Sequence, residues 1–334
     1  MHTAPLKERI GVPYPNRPVF ALAALLIATG AAHAQSGFPG KPVRLVSSTT
    51  AGGQPDTIAR MIAQKMSEHW GRPVIMDNRP GAGGMLAANL VAKAAPDGHT
   101  LLYVLPNFVI TPAMQPNVTY DALKDFAGIA QIGASTNVLV VTPALNVKTL
   151  KEFIALAKSQ PGKLIFGSGA TGTAGHISGA SFGLIAGIKV IHVAFKGGPD
   201  AAIEVLAGRS HYTVSTMGVA LPFINEKKLV ALAVVSPQRA PVLPDVPTLS
   251  ELQGEFKRPE ISHGLVAPAG TPRAVLHQIS KEVARVLALP DIKERLQAIS
   301  FVIAPTTPEI YEQILRDQLE TTVRLVGDLG MRPR

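Results

Sequence analysis

Short β-branched runs in this chain repeatedly end at a glycine-rich turn, and a segment of helical spacing begins there. The first case is a strand at 43–46, a loop at 47–55 centred on Gly52 and Gly53, and a helix over 56–69 with Ile58, Met61, Ile62 and Met66 on one face. A strand at 73–76, a glycine turn at 78–84, a helix at 85–94 and a strand at 99–105 follow. After a less regular stretch the alternation resumes. It runs through strand 137–141, helix 149–159, strand 163–167, loop 168–175, helix 176–186, strand 189–195, turn 196–198, helix 199–207, and strands 211–215 and 230–235. One more strand, 261–267, precedes helices at 272–287, 290–298 and 308–325. Such alternation requires a parallel α/β sheet. Two units of this kind in 334 residues, at ~150 residues per domain, predict two lobes. The chain is expected to cross between them near 138 and return near 260, leaving a cleft, a preferred place for a small-molecule site. Each strand that ends at a glycine turn and opens a helix presents free backbone N–H groups and the positive end of a helix dipole. A carboxylate or phosphate binds there without a cationic side chain.

Composition narrows the function classes. With 46% hydrophobic and 16% charged residues, the chain is not disordered. It has no cysteine, which rules out a disulfide framework, a Cys-ligated zinc or iron–sulfur site and a thiolate nucleophile. Residues 1–34 read as a secretory signal peptide. Lys7, Arg9 and Arg17 make a basic start, 20–32 is an apolar run, and Ala32-His33-Ala34 supplies the small residues of a cleavage site before Gln35. The expected location is therefore periplasmic, with cleavage near Ala34-Gln35. The apolar run falls short of the ~20 residues a helix needs to cross a bilayer, and no later segment reads as a span. Removing the segment takes away three basic residues and Glu8, so the net charge falls from +9 to +7. A surface of that sign draws small anions. Nucleic acid is not an expected partner, because Lys and Arg are scattered and aromatic residues make up only 5%.

Residues 167–172 spell Gly-Ser-Gly-Ala-Thr-Gly, the dinucleotide fingerprint G-x-G-x-x-G, between a strand and a helix. The acid that would hold the ribose is missing from the end of the next strand, Val193-Ala194-Phe195-Lys196. An anion loop is the preferred reading, with the hydroxyls of Ser168, Thr171 and Thr173 beside the backbone N–H groups of the loop. His176, in the first turn of the following helix, either braces this loop or meets the ligand. Ser47-Ser48-Thr49-Thr50 places four hydroxyls at a strand end. They either satisfy their own backbone or bind ligand, and the second reading is preferred. Asp56 reads as the cap of the helix behind Gly52 and Gly53. Lys196 is either a solvated turn residue or a source of positive potential in the cleft. No His-x-x-x-His or other metal spacing occurs, so neither a metal site nor a cofactor is expected. The nucleophile pattern Gly-x-Ser-x-Gly is absent, because in 175–179 the serine falls one place late. A hydrolase using Ser168 or Ser178 is the outlying alternative.

Taken in order, a set of segments carries a resemblance. They are Phe38-Pro39-Gly40-Lys41-Pro42-Val43-Arg44-Leu45, Ala51-Gly52-Gly53 with Asp56 and Ala59-Arg60, Asn78-Arg79-Pro80-Gly81-Ala82-Gly83-Gly84, and Ala95-Pro96-Asp97-Gly98-His99-Thr100-Leu101. Later come Gly172-Thr173 with His176, Lys196-Gly197-Gly198, Leu243-Pro244-Asp245-Val246-Pro247-Thr248, and Leu265-Val266-Ala267-Pro268-Ala269-Gly270-Thr271-Pro272. Through nearly all of the mature chain this resembles the exported solute-binding receptors of tripartite tricarboxylate transporters, the Bug receptors. The resemblance implies an α/β, two-lobed periplasmic binding protein (type II, Venus-flytrap). Its ligand cleft would lie between a lobe of 35–137 plus 260–334 and a lobe of 138–259. It implies a receptor, not an enzyme, that captures a small carboxylate and delivers it to the membrane subunits of a tripartite tricarboxylate transporter. Presentation of the ligand to a membrane signalling protein is the alternative, and a monomer is the expected state.

Such receptors hold ligand carboxylates with the loop after the first strand and the glycine-rich loop of the second lobe. Those loops match Ser47 to Gly53 and Ser168 to Thr173 here, so the expected ligand set takes Ser48, Thr49, Thr50, Gly52 and Gly53 from the first and Ser168, Gly169, Thr171, Gly172 and Thr173 from the second, and it also includes Asn107, His176 and Thr216. Two departures from the family pattern bear on the ligand. Ser48, Thr49, Thr50 and Ala51 replace a proline-rich, aromatic-containing approach to the glycine pair, which makes the pocket floor more polar. Where relatives carry an Asp-Asn pair, this chain has Ser215-Thr216-Met217, which disfavours an amino-acid ligand.

Overall fold

The computed structural model describes residues 37–253 and 262–331. The signal segment, its cleavage site and Ile261 at the expected start of a strand lie outside the described residues. The chain divides into two units, Met1–Gly40 and Lys41–Arg334, and every element below belongs to the second.

Two sheets organise it. The first contains β1 (Val43–Ser47), β2 (Val74–Asn78), β3 (Thr100–Val104), β4 (Phe126–Ser135), β10 (Ser262–Pro268) and β11 (Phe301–Ile303), in the order β11-β4-β10-β3-β1-β2. The second contains β5 (Asn137–Val141), β6 (Ile165–Ser168), β7 (Ile191–Ala194), β8 (Tyr212–Thr216) and β9 (Val230–Val235), in the order β7-β6-β8-β5-β9. Thr136 alone separates β4 in one sheet from β5 in the other.

The sheets are mixed rather than parallel. β1 runs parallel to β2 and β3, and β6 runs parallel to β7 and β8. β10 lies antiparallel to β3 and β4, β11 to β4, and β5 to β8 and β9. A helical crossover returns the chain to the same end of a sheet, so strands joined that way are parallel. The antiparallel strands β5 and β10 are those by which the chain enters one sheet after leaving the other.

Each sheet packs its own core. Leu102, Val104 and Val266 meet Phe108, Tyr120, Phe126 and Tyr311 in the first. Leu139, Phe153, Phe166, Phe182, Tyr212 and Leu232 fill the second. Full burial of one such aromatic contributes ~1.5–3 kcal/mol, and two separate cores make two lobes. The lobes also touch: Ile110 of the first packs with Ala174 and Ile177 of the second and with Leu325 of the helix Pro308–Asp328.

Local sequence explains most helices. In the helix Gln54–Trp70, Ile58, Ala59, Ile62, Ala63 and Met66 are buried at helical spacing, Pro55 sits in the first turn, and Gly71 ends it in the left-handed conformation with φ 62°. Several elements fall where no regular structure is expected, among them β4, β11, the short helix Leu249–Gln253 and two proline-containing helices. β4 is buried on both faces, so it shows no alternation, and its Ala and Gly have low strand propensity. The helices Asn107–Met114 and Met217–Asn225 each contain a proline, Pro112 and Pro222, which reads as a breaker. Burial of Phe108, Val109 and Ile110 in the first, and of Met217 and Ala220 in the second, outweighs that local cost.

Candidate functional site

The parallel strands of both sheets aim their carboxyl ends at one crevice of about 440 Å³, within the ~300–1,000 Å³ usual for small-molecule sites. Strand carboxyl ends are where open α/β sheets place ligands. From the first lobe the wall takes Ser48 to Thr50 and Gly53 to Pro55 after β1, Pro80 to Gly84 after β2, and Leu105 to Asn107 after β3. From the second it takes Gly169 to Gly175 after β6, Phe195 to Pro199 after β7, and Val214 to Thr216 with Val219 at the end of β8. Helices begin at Gln54, Asn107, Gly198 and Met217 without a side-chain cap. The positive ends of their dipoles favour an anion between them. Among the described residues that line the crevice, Lys196 is the one Lys, Arg, Asp or Glu.

The loop after β1 is braced from behind. Gly52 takes a positive φ of 82°, which suits glycine, and its N–H donates to Asp56 Oδ2 at 2.9 Å. Gly53, not Asp56, occupies the N-cap position. Asp56 lies one turn in, and its second oxygen accepts from Asn78 Nδ2 at 2.8 Å while Arg60 Nε donates to the first at 2.9 Å. Burial pushes the Asp56 carboxyl up, but Arg60, the Gly52 N–H and Asn78 together outweigh it and hold the pKa below its ordinary value. The charge that would repel an anion is thus occupied by its own partners. Asn107 Nδ2 donates to Gly83 O at 2.9 Å and to Ser48 Oγ at 3.3 Å, tying the loops after β1 and β2 together.

The second-lobe loop is braced by histidine. Thr173 Oγ1 caps the helix Ala174–Ala186 by accepting from the His176 N–H at 3.2 Å, and it donates to Ala170 O at 2.9 Å. His176 Nδ1 accepts from the Gly172 N–H at 3.1 Å. Its ring stacks on His192 with centroids 4.2 Å apart. Burial, and then His192, lowers its pKa to about 4, so the ring is neutral at pH 7. Ser168 is buried and its Oγ lies 2.7 Å from His192 Nε2 and 3.3 Å from Ala170 O.

Of the expected ligand set, Ser48, Thr49, Thr50, Gly53, Asn107, Gly169, Thr171, Gly172, Thr173 and Thr216 line the crevice. Gly52, Ser168 and His176 do not. Their hydrogen bonds instead shape loops whose other residues line it. Three wall residues with polar side chains escape the sequence reading: Gln54, Asn137 and His263. Gln54 follows the glycine pair and was visible in principle as the first helical residue. Asn137 and His263 reach the wall because β5 and β10 run antiparallel to strands that end there. His263 is fully buried, with Nδ1 2.7 Å from Tyr103 Oη and Nε2 2.8 Å from Ser135 Oγ, and burial lowers its pKa to about 3.

The sequence model of the tripartite tricarboxylate transporter family receptor matches residues 58–331. This chain belongs to that receptor family. A protein from the tcbD-tcbE intergenic region of Pseudomonas sp. strain P51 is 33% identical over 93% of this chain and 94% of its own length. Among solved structures, Rpa4515 of R. palustris with adipate superposes with a TM-score of 0.85 at 28% identity, covering 89% of this chain and 100% of that one. MatC of Rhodopseudomonas palustris with bound malate gives 0.79 at 29%, covering 86% and 100%. The periplasmic binding protein BugD gives 0.83 at 26%, covering 89% and 100%. The chain is a periplasmic solute-binding receptor of the tripartite tricarboxylate transporter type, with the two-lobed fold of periplasmic binding proteins, and not an enzyme. In such a receptor the Ser168–His192 contact is a brace. The serine is buried, and its hydroxyl meets His192 Nε2 and Ala170 O.

Proposed function

We propose that this receptor captures a small carboxylate in the crevice, closes its lobes over it, and delivers it to the membrane subunits of a tripartite tricarboxylate transporter. One observation carries the reading: uncapped helix starts from both lobes converge on a single crevice whose wall, among the described residues, has a lysine and no acid. The relatives solved with adipate and malate support it. The proposed contacts are the hydroxyls of Ser48, Thr49, Thr50, Thr171 and Thr216, the amide of Asn107, and the backbone N–H groups around Gly53, Gly169 and Gly172. Gly52, Ser168 and His176 hold those loops in shape. Closure turns on the connection at Thr136, and it strengthens the ligand's hydrogen bonds by excluding water. Residues 1–34 are the export signal, cleaved before Gln35. Thermal-shift measurements with mono-, di- and tricarboxylates test the binding step. A carboxylate is expected to raise the melting temperature, and a protein stabilised by a non-acid but by no carboxylate overturns the reading. Loss of uptake of that acid on deleting the receptor gene tests delivery.

A further inference from the structure

We propose that Gln54 and Asn137 form a selectivity subsite for a neutral hydrogen-bonding group, a hydroxyl or a carboxamide, carried by the bound carboxylate. The inference rests on the carboxylate reading above. Both side chains line the crevice, one from each lobe. Gln54 is 8% exposed and Asn137 2%. Among the described residues neither Nε2 nor Oε1 of Gln54 has a hydrogen-bond partner, and neither does Oδ1 of Asn137.

The two amides stand at one end of the crevice. Asn137 pairs in register with Thr216, and the Met217 N–H donates to Thr136 O at 2.8 Å. Two residues past Thr216, a Cβ on Gly218 would fall 2.9 Å from Gln54 Cδ, 3.1 Å from Oε1 and 3.2 Å from Nε2. The absence of a side chain at Gly218 therefore lets the Gln54 amide lie over the first turn of the helix Met217–Asn225. Lys196 follows β7, and β6 and β8 separate that strand from β5 in the sheet, so the lysine belongs to the other end.

The chemistry of the pair selects the group between them. Each carboxamide has a donor edge and an acceptor edge. Whichever way the Gln54 amide is turned, a buried acceptor remains to be met. A methylene meets neither edge. A carboxylate meets the N–H groups but has no proton for the oxygens. An ammonium meets the oxygens but leaves the N–H groups, with no acid on the wall to balance its charge. A hydroxyl or a carboxamide donates and accepts at once.

Isothermal titration of the mature protein with matched pairs of acids tests this: malate against succinate, citrate against tricarballylate, succinamate against butyrate. The hydroxyl- or carboxamide-bearing member of a bound pair is expected to bind about tenfold or more tightly than its partner, the effect of one well-made hydrogen bond. In Gln54→Met and in Asn137→Ala that ratio is expected to fall toward one. Acids that bind with no gain from the extra group, or a ratio that survives both substitutions, overturn the inference and leave the carboxylate reading standing. A protein that binds no acid overturns both. If a variant fails to fold, the ratio in the unaltered protein still decides.

Discussion

At Gly169 a Cβ would lie 2.5 Å from Gly198 N and 2.8 Å from Gly197 C, backbone atoms that cannot swing aside. Two glycine loops of the second lobe therefore touch main chain to main chain. Gly169→Ala is expected to destabilise by ~1–3 kcal/mol, as overpacking does. Gly198→Ala, with open space at its Cβ position, is expected to stay within ~0.5 kcal/mol of the parent; urea denaturation of both checks this. His176 makes a pH prediction. Its folded pKa of about 4 lies below the ordinary 6.5, so the unfolded chain takes up the proton first as pH falls. The stability it contributes is full above pH 6.5 and is lost as pH falls toward 4. Protonation at Nδ1 also turns the acceptor for the Gly172 N–H into a second donor. His176→Asn offers an oxygen acceptor near the same place without titrating, and its stability is expected to vary less between pH 6.5 and 4, measured by denaturation across that range. The hydroxyl-bearing loop residues were legible because strand, glycine and helix signals meet at them. Whether a given one faces ligand or braces the loop was not, because Ser168 and Thr171 share one loop and differ only in which way they turn.

At the scale of elements, the helices that open on the crevice matter most. Thr173 caps the helix Ala174–Ala186 at the crevice, and Thr149 caps the helix Leu150–Ser159 away from it, within a capping box completed by Glu152. Thr173→Ala and Thr149→Ala are each expected to cost ~1 kcal/mol in urea denaturation. Thr173→Ala alone is expected to weaken carboxylate binding, read by titration calorimetry, because its hydroxyl also holds Ala170 O. Helices with a cap and an apolar stripe were legible for that reason. β4 was not, since a strand buried on both faces carries no period-two signal. The proline-containing helices at Asn107 and Met217 were hidden by a local signal that burial outweighs.

At the scale of the molecule, the two lobes approach at the crevice mouth. A Cβ on Gly197 would lie 3.9 Å from Thr50 Oγ1, one residue from each lobe. The chain has no cysteine, so a Thr50→Cys, Gly197→Cys double variant has one pairing available to it. When oxidised, this variant is expected to keep one radius of gyration by small-angle scattering with or without a carboxylate and to exchange ligand slowly. Reduction is expected to restore both ligand exchange and the change in radius.

The sequence by itself determined the alternation of strands and helices, the glycine turns between them and so the family and its class of fold, because these rest on period, propensity and short-range turn chemistry. Tertiary structure decided the rest. Which strands run antiparallel depends on how the chain passes from one sheet to the other. Which loop residues face the crevice depends on side-chain direction. That Gln54 and Asn137 line one crevice from different lobes depends on how the lobes come together, since 83 positions separate the two in the chain, a distance at which no local signal in the residues themselves survives.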